Sequence, residues 1–346
     1  MSVQGEYEFK RPRFSFDSSR NLQLKEIEID PVYHYFDPMS DGEASKGTTG
    51  SGKLYIGPAG WSYKDWEGPV YPPGKKLDKL QYIARYFDCI ELNSSFYRIP
   101  DIRLSRSWAE RLSDNPDFKF TVKVWQRFTH ERKAGRDELL RFTESFEPLI
   151  KHGKFGAFLL QFPWSFRNDP KNREYVSKLG SLFSEYPTAV ELRHGSWSSP
   201  EVWELLSGCK LSFCNIDQPL IGDSIPPTSV STDGRLGYIR LHGRNRKNWF
   251  RREAGRDERY DYLYSMEELK GWVNGARKIL ANVKALFMIT NNHFRGQALA
   301  NAFQLKSILE GSDPDIPASL ISYYPGLVDI AGRSSMRGDL FDDPSA

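Results

Sequence analysis

Cysteine is scarce in this chain: its three thiols, Cys89, Cys209 and Cys214, lie in or beside apolar runs, and none belongs to a CxxC pair. This excludes a disulfide framework and a cysteine zinc site, and is the usage of small core residues in a reducing compartment. A strong charge of one sign is missing too. A formal net charge of +3 over 346 residues is too dilute to name a nucleic-acid partner. No apolar run approaches the length that spans a bilayer. The first residues, Met1 to Glu6, lack the basic start and apolar stretch of a signal peptide, so the expected location is the cytoplasm, with no membrane contact. Glycine-rich phosphate loops of the GxGxxG and GxxxxGK[ST] types are absent, and so are HxH and HExxH spacings. No cofactor is therefore expected from motifs.

What the chain does have is ordinary globular composition, 39% hydrophobic and 27% charged, and eight short apolar runs separated by helical stretches. The runs are Leu54 to Trp61, Cys89 to Tyr97, Lys119 to Trp125, Gly156 to Pro163, Thr188 to Trp197, Lys210 to Pro219, Leu236 to Arg244 and Leu286 to His293. Between them the hydrophobic period changes from two to about 3.6, the mark of helices laid over a sheet. The helical stripes are Leu77, Leu80, Ile83, Ala84 and Phe87; Leu139, Leu140, Phe142, Phe146, Leu149 and Ile150; Tyr175, Leu179, Leu182 and Phe183; and Leu269, Trp272, Val273, Ala276 and Ile279. Strand–helix alternation predicts an α/β chain, a single (β/α)8 TIM-type barrel. The 258 residues from Lys53 to Glu310 agree with the roughly 250 typical of that architecture. The sixth crossover, Pro219 to Arg235, carries Pro226 and Pro227 and little helical pattern, so its helix is expected to be short or missing.

Residues 1–52 carry scattered charge and a small-residue stretch from Ser40 to Gly52, and are expected to form a flexible extension. Residues 53–331 form the barrel, including a docking segment from Pro317 to Ile330, and residues 332–346 a disordered tail.

In a parallel barrel all strand C-termini meet at one rim, so polar residues that end distant runs become one pocket. Side chains alternate across a strand, which places Glu91 with Asn93, Glu191 with Arg193, and Arg240 with His242 and Arg244 on common faces. The outer face packs on apolar helices, so these sets are expected to point inward. The structural alternative is an internal ion-pair network, Glu91 with Lys123 and Glu191 with Arg193. Buried pairs stabilise poorly, however, because desolvation offsets their attraction. His242 precedes Gly243, which would let a ligand approach the backbone. His194 and His293 are out of phase and expected to face helices. Asp217 and Gln161 divide evenly between site and structure.

Aromatics crowd the same rim. Trp61 and Tyr97 are placed as a stacking wall, whereas Trp66 and Trp164 are expected to pack loops down. The seventh loop, Arg244 to Tyr264, interleaves Arg244, Arg246, Lys247, Arg251 and Arg252 with Trp249 and Phe250, which would suit nucleic-acid contacts. Glu253, Asp257, Glu258 and Asp261 follow and nearly balance that charge. A divalent-metal site can be drawn from Glu91, Glu191, Asp217 and His242, but a cation beside Lys123, Arg193 and Arg240 would be repelled, which argues for an anionic ligand.

Seven ordered motifs resemble the DUF72 (YecE-like) family: Gly57-Pro58-Ala59-Gly60-Trp61-Ser62-Tyr63 with Asp65-Trp66; Ile90-Glu91-Leu92-Asn93-Ser94-Ser95-Phe96-Tyr97; Phe120-Thr121-Val122-Lys123-Val124 with Thr129-His130; Leu160-Gln161-Phe162-Pro163; Val190-Glu191-Leu192-Arg193-His194 with Ser196-Trp197; Arg240-Leu241-His242-Gly243; and Asn291-Asn292. Pro58 and Ala59 stand where many members have a hydroxyl residue, and Ser95 where threonine is frequent. The resemblance implies the barrel, and marks Glu91, Asn93, Lys123, Gln161, Glu191, Arg193, Arg240, His242 and Asn292 as site positions. It implies no activity.

The leading expectation is an enzyme, a hydrolase or an isomerase, doing general acid–base chemistry on a small polar or anionic molecule such as a sugar or sugar phosphate. Glu191 and Glu91 serve as acid and base, Lys123, Arg193 and Arg240 hold the anion, and His242 relays a proton. Asn93, Gln161 and Asn292 orient hydroxyls, while Trp61 and Tyr97 stack on the ring. The alternatives are a nucleic-acid-binding or nucleic-acid-processing barrel using loop 244–252, and a non-catalytic ligand-binding barrel.

Overall fold

Each apolar run supplies a strand, and every strand is shorter than its run. The strands are β1 (Lys53–Pro58), β2 (Cys89–Leu92), β3 (Lys119–Lys123), β4 (Phe155–Gln161), β5 (Thr188–Glu191), β6 (Ser212–Asp217), β7 (Leu236–Leu241) and β8 (Ala285–Thr290). The second and fifth runs overshoot because tight 3₁₀ turns, at Ser94–Phe96 and Gly195–Trp197, continue the apolar pattern beyond the ladder. The computed structural model describes residues 52–74, 76–249, 251 and 256–332. The expected extension, apart from Gly52, and the expected tail after Gly332 lie outside the described residues, as do Phe250 and Arg252 of the seventh loop.

All ladder pairs are parallel, running β1-β8-β7-β6-β5-β4-β3-β2. The ring closes between β1 and β2 through an Ala59–Glu91 bridge, with the Gly60 amide donating to the Glu91 carbonyl at 2.9 Å. This is a TIM barrel. Gly57 is required at the seam, because a Cβ there would stand 1.8 Å from the Cys89 carbonyl oxygen.

The helices form where the predicted stripes are. Asp78 caps the first, Lys79–Ala84, accepting from the amides of Leu80 at 3.0 Å and Gln81 at 3.1 Å. Asp169 with Pro170 opens Pro170–Leu182, and a Ser265–Glu268 capping box opens Met266–Leu280, whose Leu269, Trp272, Val273, Ala276 and Ile279 are all buried. The second stripe is not one face. Its residues split between Arg136–Glu144 and Glu147–Lys151, and Leu140 is exposed, because Ser145 and Phe146 break the register and Pro148 starts a new turn. No helix occurs between β6 and β7, as the paired prolines predict. The Asn215 side chain instead holds that crossover by bonding the Val230 amide and carbonyl and the Thr228 hydroxyl at 2.8 to 2.9 Å. After Glu310, Leu320 and Leu327 bury against the barrel, so the docking segment seals it.

Candidate functional site

Register decides which side chains face inward. Adjacent residues of a parallel ladder share a face, so the pairs Cys214–Tyr238–Phe287–Tyr55 and Ile216–Arg240–Ile289–Gly57 fill successive interior positions. Phe287 stacks on Tyr55 at 4.7 Å and lies 6.2 Å from Tyr238, making an aromatic floor. On it sits a polar layer: the Tyr238 hydroxyl donates to Glu91 Oε2 at 2.8 Å and stands 2.8 Å from Thr121 Oγ1.

Arg240 is the hub. Its Nη2 donates to Glu91 Oε1 at 2.6 Å and its Nη1 donates to Glu191 Oε2, bridging carboxylates from β2 and β5 across the barrel. Glu191 Oε1 also accepts from Arg193 Nε at 2.7 Å and lies 3.2 Å from His242 Nε2. Arg240, Glu91, Glu191 and His242 are each at most 1% exposed. Of the two pairs expected for an internal network, Glu191–Arg193 forms, whereas Glu91 pairs with Arg240 rather than Lys123, because barrel closure brings β7 across to β2.

The electrostatics follow from this wiring. Burial acts to raise the Glu191 carboxyl, but Arg240, Arg193 and His242 outweigh it and hold it well below the usual carboxylate range. His242 is pushed down to about 3, chiefly by burial, with Glu191 opposing and Arg193 and Arg240 assisting. Asn291 Nδ2 lies 2.9 Å from His242 Nδ1. With Nδ1 accepting from that amide, the neutral ring carries its proton on Nε2, toward Glu191.

Lys123, at the end of β3, differs from every other cation of the layer. Its Nζ sits 4.0 Å over the Phe96 ring and makes no hydrogen bond or ion pair among the described residues. Burial, followed by Arg240 and Arg193, lowers it from 10.5 to about 7, with Glu191 and Glu91 pulling the other way. Ser95 fixes its backbone, the hydroxyl lying 2.7 Å from the Lys123 carbonyl. His130 packs edge-on to Phe96 at 4.9 Å and is lowered to about 4 by burial, Lys123 and Arg193. Gln161 on β4 is laterally paired with Glu191, and its buried Oε1 has no hydrogen-bond partner among the described residues.

Several expected positions lie elsewhere. Arg244 does not share the face of Arg240 and His242: β7 ends at Leu241, Gly243 takes φ +88°, and the chain turns so that Arg244 binds Asp217 at 2.7 Å and Glu268 at 3.0 Å. Asp217 is on the outer face, where Trp272 Nε1 donates to it at 2.6 Å. The drawn metal set therefore does not assemble, and among the described residues no group of three or more His, Cys, Asp or Glu is arranged to hold a metal ion. Asn292 also faces outward, donating to the Tyr262 carbonyl and Asn301 Oδ1, both at 2.8 Å. Asn291 takes the inward place, and the phase of Phe287 and Ile289 on β8 was the signal for it. Trp61 packs edge-on to Trp108 at 5.8 Å, in the helical layer rather than on a stacking wall. Tyr97 is 67% exposed, and Asn93 is half-buried at the turn after β2. Trp66 and Trp164 are held in loop packing, Trp66 donating to the His293 carbonyl at 2.7 Å and Trp164 lying 5.1 Å from the His194 ring.

The seventh loop contributes aromatics rather than charge. Trp249 is 5.7 Å from the Arg193 guanidinium and 6.2 Å from the His242 ring, and Tyr260 is 5.1 Å from His293. Arg251 pairs with Glu258 at 2.7 Å. Which of the loop's aromatics would pack near His242 and Arg193 could not be read from spacing.

The model of the family described as "Protein of unknown function DUF72" matches residues 55–320. The chain belongs to the DUF72 family. Among DUF72 relatives, the UPF0759 protein YunF of Bacillus subtilis is 32% identical over 274 residues, 74% of this chain and 95% of YunF. A crystal structure of a DUF72 protein from Thermotoga maritima is 38% identical with a TM-score of 0.66, covering 75% of this chain and 99% of that one. A DUF72 structure from Enterococcus faecalis is 26% identical with the same TM-score, covering 74% and 95%. No described helix is long and apolar enough to cross a membrane.

Proposed function

We propose that the barrel mouth is the active site of an enzyme that moves a proton on a small anionic molecule, with Lys123 as the group that gives and takes it. The observation that carries this reading is the division of labour among the charges of this layer. Glu91 and Glu191 are fully engaged by Arg240, Arg193, Tyr238 and His242. They act as fixed counter-charges, not as the acid and base that residue type alone suggested. Glu191, held well below the usual carboxylate range, keeps no proton to donate near neutrality, and His242, near 3, is neutral there and a weak base. Lys123, near 7 and without a counter-ion among the described residues, has the poise that acid–base work needs.

Arg193 supplies the anion contact. Only Nε enters its ion pair, Nη2 makes a 3.4 Å contact with His242 Nε2, and Nη1 has no partner among the described residues. Gln161 Oε1 is free to accept from a ligand hydroxyl. The reaction class is isomerisation or hydrolysis of a sugar, sugar phosphate or similar anion.

A thermal-shift screen of sugar phosphates and small carboxylates tests this, since a ligand at about 100 times its Kd adds about 2.7 kcal/mol to the state that binds it. The expected result is a ligand whose shift is lost in Arg193→Met, and whose turnover rises or falls through a limb near pH 7 that disappears in Lys123→Met. A shift equally large in both variants contradicts the assignment. A nucleic-acid role for loop 244–252 has less support, because Arg244 and Arg251 are already paired within the chain.

A further inference from the structure

We propose that Lys123 acts as a nucleophile as well as a base, forming a covalent imine with a small carbonyl compound that carries a carboxylate or phosphate. The inference rests on the reading of Lys123 above and adds the substrate class. An amine that only holds an anion is usefully kept charged beside a carboxylate, as Lys306 is beside Asp88 at 2.8 Å in this same chain. Lys123 has the opposite setting. Both carboxylates of its layer are bridged by Arg240, and Glu191 is paired with Arg193 as well, so two guanidinium groups rather than the amine meet their charge, and the Nζ lies against the face of Phe96 instead. A desolvated lysine beside fixed guanidinium groups is the setting that frees an amine lone pair near neutral pH.

The surroundings fit a carbonyl compound with an anionic arm. Arg193, on the same interior wall, offers the unpartnered Nη1 for a carboxylate or phosphate oxygen. Gln161, on the strand next to Lys123, is 8% exposed with a buried Oε1 that has no hydrogen-bond donor. It suits the hydroxyl that a carbonyl carbon gains when an amine adds to it, a donor that an intact ketone or aldehyde lacks. The Ser95 contact to the Lys123 carbonyl fixes the backbone from which the amine reaches.

The step balances without a co-reactant. The Lys123 Nζ lone pair forms a bond to the carbonyl carbon while the C=O π pair moves to oxygen. A proton passes from nitrogen to that oxygen, giving a carbinolamine. The C–O bond then breaks as the C=N bond forms, and the oxygen departs as water with both protons that began on the amine.

Borohydride trapping tests it. The full-length protein is incubated at pH 7 with glyoxylate, pyruvate or dihydroxyacetone phosphate, reduced with sodium borohydride, and mapped by peptide mass spectrometry. Hydride addition to the C=N bond leaves the probe on nitrogen minus its carbonyl oxygen. The expected result is a reduced adduct on Lys123 with at least one probe, roughly tenfold or more above the exposed Lys270, because a lysine near 7 carries far more free amine at that pH. It should be absent in Lys123→Arg, whose native fold is checked by its melting curve, and reduced in Arg193→Met. Labelling of Lys123 no faster than Lys270 with all three probes overturns the proposal. A probe that raises the melting temperature through Arg193 but leaves Lys123 unreduced removes the imine alone and leaves the acid–base reading standing.

Discussion

At the scale of single residues, the charged layer makes opposite predictions for two of its cations. Arg240 bridges two carboxylates that are 0% exposed, so Arg240→Met takes from Glu91 its ion-pair partner, leaves Glu191 with Arg193, and should cost about 3–5 kcal/mol in denaturant unfolding. Lys123 is a charge the fold would rather not hold. Its folded value near 7 lies below the unfolded 10.5, so the unfolded chain binds the extra proton between those limits and stability contributed by this site rises with pH across that window. Lys123→Met should therefore be more stable than the native chain at pH 7, on the order of a few kcal/mol, with the gap closing toward pH 10.5. Equal stabilities at both pH values would contradict the depressed amine. His242 acts at the acid end: with a folded value near 3 against 6.5, its contribution to stability is intact above 6.5 and is lost as pH falls toward 3, so His242→Gln should flatten that part of the acid unfolding curve.

At the scale of elements, closure and crossover depend on single side chains. Gly57→Ala drives a methyl group against the Cys89 carbonyl at the β1–β2 seam, where backbone cannot yield, and should cost more than about 3 kcal/mol or abolish the folded state in expression. Asn215→Ala removes the bonds that replace a helix between β6 and β7, and should cost about 1–3 kcal/mol by urea titration. The strands were legible because alternation and apolar runs report burial directly. Their ends were not, since turns such as Gly195–Trp197 bury Trp197 and read as more strand. The phase of β8 was missed by one residue, and that residue matters: Asn292 was expected in the site, whereas Asn291 faces His242 and Asn292 faces the helices. The position of Arg244 was hidden because Gly243 at φ +88° ends the alternation that placed it.

At the scale of the whole molecule, the sequence revealed that acids, bases and amides would gather at one rim, and Glu91, Lys123, Gln161, Glu191, Arg193, Arg240 and His242 do gather there. It could not reveal their wiring. The Arg240–Glu91 pair joins residues 149 apart through the closed ring, and only closure turns Arg240 into the partner of both glutamates and leaves Lys123 without one. Roles assigned from residue type alone therefore gave the proton chemistry to Glu191 and Glu91, with His242 as the relay, whereas we propose Lys123 from the assembled charges. The ionisation of Lys123, followed by ¹³C NMR of labelled lysine side chains and assigned by Lys123→Arg, tests that role most directly. A midpoint near pH 7 is the predicted result, and an ordinary midpoint near 10.5 would contradict it.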